Sequence, residues 1–455
     1  RDVPALISLA GVDLSSEIAA VPAHRLMLGG KIGSGEIIIS NGSLTTDSGH
    51  IRLDSSRIAL PSMSRPITDT AIQAALDIDL PDLAQIGRLF KIPQLGGAVQ
   101  GHATVTGTLG APGGTASVSA KGISFKDVTY GDLTLKASAD SQVATIESLT
   151  LLRDKDRLTG RGRFHFVNQE FEDVQLEFRL SDLAFYTVTF WPENWNLARG
   201  KPRIAGSLAG EVTVDGPLTM PGGTADIKAQ KLSFEKTQFG NADIRLTSDG
   251  QKITVETFKV RQAKDRVDLK GSFDLKSRIF EKVKLDIAIA DVAAYTKNLL
   301  PQKQPINAAV RANLTISGPL QEPAARADIA LKEVQLNDVK ISNAIFKLRS
   351  SGRRIYIDLA QVNAPLGEAK LAGNLLRGPA DAAFDLELTD LSLSGQKALL
   401  ALKKPAYIHF TRSGDFSLKD ISLGGPNGDI RLKGSLAAQK KADFDLSISD
   451  VNSHG

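Results

Sequence analysis

The sequence predicts an all-β protein: an elongated antiparallel sheet folded lengthwise into a trough with an apolar interior, its repeats joined by short helical connectors. Three observations predict this. Apolar and polar residues alternate with period two through most of the chain, a Gly-x-Leu-x-x-Pro hexad recurs about every 100 residues, and non-alternating stretches that end in proline separate the recurrences.

The hexad occurs as Gly107-Thr-Leu-Gly-Ala-Pro112, Gly216-Pro-Leu-Thr-Met-Pro221 and Gly318-Pro-Leu-Gln-Glu-Pro323, each preceded by an alternating strand, HATVTG, EVTVDG or NLTISG. Proline cannot donate to a ladder and glycine tolerates positive φ, so the hexad predicts a turn between antiparallel strands. A second landmark is a strand closing in Asp and an aliphatic residue: VQLEFRLSDL, VKLDIAIADV, FDLELTDL, FDLSISDV and, more loosely, LDIDLPDL. A third precedes it, in KDRLTGRGRFHF, KDRVDLKGSFDL, GEAKLAGNLL and GDIRLKGSL, where the alternation crosses a glycine. Gly160, Gly162, Gly271, Gly373 and Gly434 are the expected bends.

These landmarks divide the chain into a partial repeat at 1–96, repeats at 97–205, 206–305 and 306–404, and an abbreviated repeat at 405–455, forming one continuous groove. The connectors DLAQIGRLFKIPQ, DLAFYTVTFWPENW, DVAAYTKNLLPQKQP and SGQKALLALKKP are each expected to form one or two helical turns capped by Asp or Ser. About six strands per repeat, roughly thirty in all, are expected, spanning on the order of 140 Å.

Composition bounds the function. Apolar residues make up 42% and aromatic residues 5%, so the apolar surface must be aliphatic. The net charge of +4 comes from interspersed Lys, Arg, Asp and Glu, which argues against a nucleic-acid partner. With no cysteine there is no disulfide and no thiolate site, which suits an oxidising compartment. No stretch approaches the roughly 18 apolar residues of a membrane-spanning helix. The chain opens on Arg1 and both ends fall within patterned material, so it is expected to be a piece of a longer protein.

Side-chain alternation assigns the faces. Val174, Leu176, Phe178 and Leu180 oppose Gln175, Glu177 and Arg179, and Val283, Leu285, Ile287 and Ile289 oppose Lys284, Asp286, Ala288 and Ala290. Val105, Val212, Val214, Leu314, Ile316, Phe384, Leu386, Leu388, Phe444, Leu446 and Ile448 continue the apolar face. If the walls of the trough stay apart, this lining must be covered by a ligand, and acyl chains are the natural filling. A repeated aliphatic lining suits a chain that slides.

At the Gly-x-Leu-x-x-Pro turns and the closing strands the sequence resembles the AsmA-like superfamily, most closely its translocation and assembly module (TamB-type) branch. The likeness covers residues 97–451 well and the first 96 loosely. It implies a β-taco, or repeating β-groove, in the periplasm of a Gram-negative bacterium, with an inner-membrane anchor expected outside these residues. It also implies phospholipid movement between inner and outer membranes, with phospholipid acyl chains as the cargo. The alternative it implies is a periplasmic scaffold for barrel-protein assembly with a TamA-type outer-membrane partner. A secreted β-solenoid would need a repeat of about 20 to 30 residues, which is not visible.

Other candidates read as structure. LGGKIGSGE (28–36) lacks the Gly-Lys-Ser/Thr of a phosphate loop and predicts a loop or hairpin. His24, His50, His102, His165, His409 and His454 are scattered without metal-ligand spacing, so neither metal nor cofactor is expected. RDKDR (153–157) and QAKDR (262–266) predict equivalent hairpin turns with solvated charges. With no nucleophile elbow and no fixed pocket, no enzyme activity is expected. The aromatic connector FYTVTFWPENWNL is expected to pack at the edge of the trough, the alternatives being a lid over the groove or a membrane or partner contact.

Overall fold

Strand alternation this regular favours a meander, and the computed structural model shows, among the described residues, an antiparallel sheet of 28 strands with the two short helices Leu183–Phe190 and Ala293–Leu299 and further helical residues at Leu83, Ala84 and Gly87. The structure describes residues 5–13, 25–33, 36–46, 49–59, 66–84, 87, 92, 94–126, 128–190, 204–299, 306–336, 339–378, 383–395, 399–426, 428–436 and 442–449. Trp191, Trp195, His24, His454 and Asp450 lie outside these residues.

The first five strands are Ala5–Asp13, Arg25–Gly33, Glu36–Thr46, Gly49–Ala59 and Ile72–Leu80. Six follow, Leu95–Thr108, Ala111–Phe125, Val128–Ala139, Val143–Arg153, Asp156–His165 and Glu170–Leu180, then the helix Leu183–Phe190. The next six are Ile204–Pro217, Gly222–Phe234, Thr237–Asp249, Lys252–Gln262, Asp265–Asp274 and Ile279–Ile289, then the helix Ala293–Leu299. A further six, Asn307–Pro319, Ala324–Leu336, Val339–Ser351, Arg354–Ala364, Gly367–Arg377 and Ala383–Gly395, lead to Leu399–Leu402, Ala406–Thr411, Phe416–Gly425, Gly428–Leu436 and Asp443–Ser449.

The strands fall into two compact units. One comprises Arg1–Lys201, Gly206–Lys228 and Ser248–Gly250, and the other Pro202–Ala205, Ala229–Thr247 and Gln251–Gly455. In the first unit each strand from Ala5–Asp13 to Ile204–Pro217 pairs antiparallel with its sequence neighbour. In the second the same meander runs from Lys252–Gln262 to Ala383–Gly395. There Ala383–Gly395 pairs with both Leu399–Leu402 and Ala406–Thr411.

The sequence repeat is also a repeat of backbone conformation. Positive φ occurs at Lys126, Asp154, Gln169 and Asp173, and again 109 residues on at Glu235, Ala263, Arg278 and Lys282. In the hexad, Gly107, Gly216 and Gly318 take φ of +96°, +89° and +90°, which is why that place requires glycine. The leucine two residues on donates its amide to the preceding turn: Leu109 to Thr70 (2.9 Å), Leu218 to Gln169 (2.7 Å) and Leu320 to Arg278 (2.8 Å). The hexad thus turns the chain and clips each hairpin to the one before it.

Two expectations need correction. Asp82, Asp182 and Asp291 each accept a bond from the amide two residues on at 2.9 Å, as helix caps do. SGQKALLALKKP, however, holds the strand Leu399–Leu402 in place of a helix. Period-two alternation continues past Asp390 through Leu391, Ser392, Leu393 and Ser394, so the strand runs on to Gly395 and the connector pairs with it. The glycine bends also divide: ladder registers shift around Gly162, Gly271 and Gly373, whereas Gly160 stays in register and leaves room for Leu176.

Candidate apolar face and helix-capped pocket

Residues directly opposite in an antiparallel ladder point to the same side of the sheet, so the register shows whether the apolar positions meet. In the first unit one rung runs Ile51, Ile78, Gly101, Val118, Leu135, Leu149, Gly160, Leu176, Val212, unbroken over nine strands. In the second, another runs Phe258, Leu269, Leu285, Leu314, Ala327, Leu348, Ile357, Gly373, Leu388, Ala406 over ten. No polar side chain interrupts either.

The sequence-predicted residues lie on these and adjacent rungs. Val174 pairs with Val214, Leu180 with Leu208, and Phe178 with Gly210. Val105 lies between Ala74 and Gly114. Val283 pairs with Ile316, Ile287 with Ala312 and Ile289 with Val310. Phe384 stacks on Phe410 at 5.1 Å, and Leu386 pairs with Ile408. Phe444, Leu446 and Ile448 depart from the expected lining. Their strand is exposed on both faces, with side chains 48%, 60% and 59% accessible. Among the described residues it pairs only with Gly428–Leu436.

The apolar face is half-buried rather than sealed. Among the described residues eleven hydrophobic side chains are buried, and six of these are alanine. The opposite face is solvated and laced by ion pairs such as Arg163 with Glu172 (2.6 Å), Lys252 with Glu281 (2.7 Å) and Arg349 with Asp358 (2.6 Å). Pairs this exposed are screened by solvent and add little to stability. Three of the histidines belong to that surface: His102 meets Asp77 at 2.7 Å, His409 meets Asp385 at 2.7 Å and His165 meets Glu172 at 2.5 Å. Among the described residues no group of three or more His, Asp or Glu could hold a metal ion. No helix of the described residues is long and apolar enough to cross a membrane.

One polar group stands apart, and sequence reasoning missed it. RDKDR was expected to be solvated, and the turn at Asp154 and Lys155 is there, but Asp156 is only 4% exposed. Its carboxylate accepts from the Ser181 amide (2.5 Å) and from the Tyr186 hydroxyl (2.7 Å), pinning the helix Leu183–Phe190 to the end of its sheet. Asp265 does the same with the Ala290 amide (2.7 Å) and the Tyr295 hydroxyl (2.6 Å). The signal was the shared spacing of 30 residues between aspartate and tyrosine in both copies. Burial works against ionisation of Asp156, but the bonds from Ser181 and Tyr186, with Arg153 nearby, hold its carboxyl below the usual carboxylate value. Burial and then the bond to Asp156 push the Tyr186 phenol above its ordinary value.

Beneath this helix lies an apolar cavity of about 390 Å³, walled by Leu151, Leu158, Phe178, Leu180 and Leu208 and roofed by Phe185 and Tyr186. Arg153 lies over the Phe185 ring, 3.3 Å from its centre, and 3.6 Å from Asp156. A larger hollow of about 480 Å³ opens on the charged face among Glu147, Arg161, Gln175 and Glu211, where Arg161 donates to Gln175 at 3.1 Å. The apolar cavity is the better candidate for a ligand. No protein family, curated protein or solved structure matches the chain.

Proposed function

We propose that the protein conducts phospholipid along a hydrophobic β-groove, as a periplasmic bridge between inner and outer membranes. The observation that carries this reading is the pair of unbroken apolar rungs, partly exposed over nine strands in the first unit and from Phe258 to Ile357 in the second, where the rung ends in the buried Gly373, Leu388 and Ala406. An apolar surface of that extent favours an apolar ligand, because water against it is costly. Each methylene laid on it is worth about 0.8 kcal/mol wherever it lies, so no single place would hold a chain against movement. The resemblance of the repeat to the AsmA-like superfamily supports the same reading, with the periplasm, the inner-membrane anchor and the outer-membrane partner as parts of the proposal.

Ile287→Asp or Leu386→Arg places a charge in the path of the chains and is expected to stop lipid transfer while expression and folding persist. The direct check is mass spectrometry of organic extracts from protein purified without detergent. Phospholipid should accompany the parent chain and be depleted in both variants, and a lipid-free parent would end the proposal.

A second reading is a scaffold that offers a sheet edge to an incoming strand during barrel-protein assembly with a TamA-type partner, and the strand Asp443–Ser449, which among the described residues pairs with Gly428–Leu436, is where this reading is tested. That activity would survive Ile287→Asp and be lost when proline is introduced into Asp443–Ser449.

A further inference from the structure

We infer that the cavity beneath the helix Leu183–Phe190 is a discrete binding site for the end of one unbranched alkyl chain. The lining is almost wholly carbon, which excludes a charged or strongly polar ligand from the interior. Apolar cavities of about 150 Å³ stay dry and take a benzene-sized guest, so one of about 390 Å³ has room for on the order of ten carbons. Shape decides between a ring and a chain. Leu151, Leu158 and Phe178 belong to one rung of the apolar face, so the pocket follows the strand ladder, with Phe185 and Tyr186 of the helix lining it opposite the sheet. A linear chain lying on that face fits with its terminal methyl under the helix and its head group in solvent.

The roof is built to stay in place. Asp156 holds Tyr186 from one side, and Arg153, whose Nε donates to the Thr129 carbonyl at 3.0 Å, lies over Phe185 from the other. In the other unit the corresponding site is assembled differently. Phe239 stands 109 residues after Tyr130 and packs against Tyr295 with ring centres 5.7 Å apart, and Gln262 replaces Arg153. The Arg–Phe prop therefore belongs to the first site and sets it apart from the second.

The inference rests on the reading that the apolar face accepts alkyl chains, and the test separates the two. Saturated fatty acids from hexanoate to tetradecanoate are titrated, below their micelle concentrations, into the full chain by calorimetry. The expected result is one equivalent bound, with affinity rising about fourfold per methylene and reaching a plateau once the cavity is full. Leu158→Trp should abolish that binding, whereas Val267→Trp, the corresponding change in the other unit, should leave it unchanged. Phe185→Ala should move the plateau to longer acids, a gain that misfolding does not mimic. Binding of several equivalents without a plateau, indifferent to Leu158→Trp, would overturn the discrete site and leave the groove standing. No binding of any acid would overturn both.

Discussion

Gly114→Ala is expected to destabilise its unit by about 3 kcal/mol or more, seen as a large drop in the denaturant midpoint. Gly114 has φ of +150°, and a Cβ there would sit 1.8 Å from the Thr104 carbonyl oxygen, a backbone atom that cannot step aside. The approach is held on both strands, since the Thr104 and Thr115 hydroxyls bond at 2.9 Å. Gly223 repeats the arrangement, with φ of +146°, a Cβ contact of 2.0 Å to the Thr213 carbonyl oxygen and a Thr213–Thr224 bond of 2.9 Å. Gly223→Ala should be equally damaging. The third copy supplies an internal control. Ala325 takes this place opposite Ile316, so Ala325→Gly should cost only about 0.5 to 1 kcal/mol. Similar losses for Gly114→Ala and Ala325→Gly would show that close approach is not what selects glycine.

Asp156→Ala should release the helix Leu183–Phe190, because the Ser181 amide and the Tyr186 hydroxyl lose one shared acceptor. Leaving two such donors unsatisfied costs about 3 kcal/mol locally. Hydrogen exchange at Ser181–Tyr186 should accelerate by roughly a hundredfold, and Asp265→Ala should act in the same direction but less strongly at Ala290–Tyr295, where the Ala290 amide is exposed to water. The pH dependence has two limbs of opposite sign. The Asp156 carboxyl is lowered from its usual 3.8, so its contribution is present above that pH and is lost as pH falls through the folded value. Tyr186 is raised from 10.0, so its contribution is complete below pH 10 and is lost as pH rises toward the folded value. Protection of the helix should therefore be greatest between these limits, and Asp156→Ala should flatten both limbs. Unchanged exchange at Tyr186 in the variant would remove the aspartate from this role.

The same position explains why the connectors differ. Asp156 and Asp265 end the ladder early: the last pairs with the closing strands are at Arg157 and Arg266, and each carboxylate takes up the amide that would have come next. Gly367 stands at the equivalent place in the third copy, where a Cβ would lie 2.0 Å from the Ser394 carbonyl oxygen. There the closing strand continues in register to Gly395. Aspartate admits a helix at this point, and glycine admits more strand.

The sequence by itself determined the secondary-structure class, the hexad turns, the helix caps at Asp182 and Asp291, and which side chains share a face. Each of these depends on residues within a few positions of one another, since a strand sends alternate side chains to opposite sides whatever it pairs with. Only the tertiary structure decided that Leu176 lies between Gly160 and Val212, that Asp156 is buried under Tyr186, and that Leu399–Leu402 joins a ladder in place of forming a helix. Those outcomes depend on register between strands and on partners some 30 residues away. An aspartate in a charged turn carries no local mark of the hydroxyl that will find it.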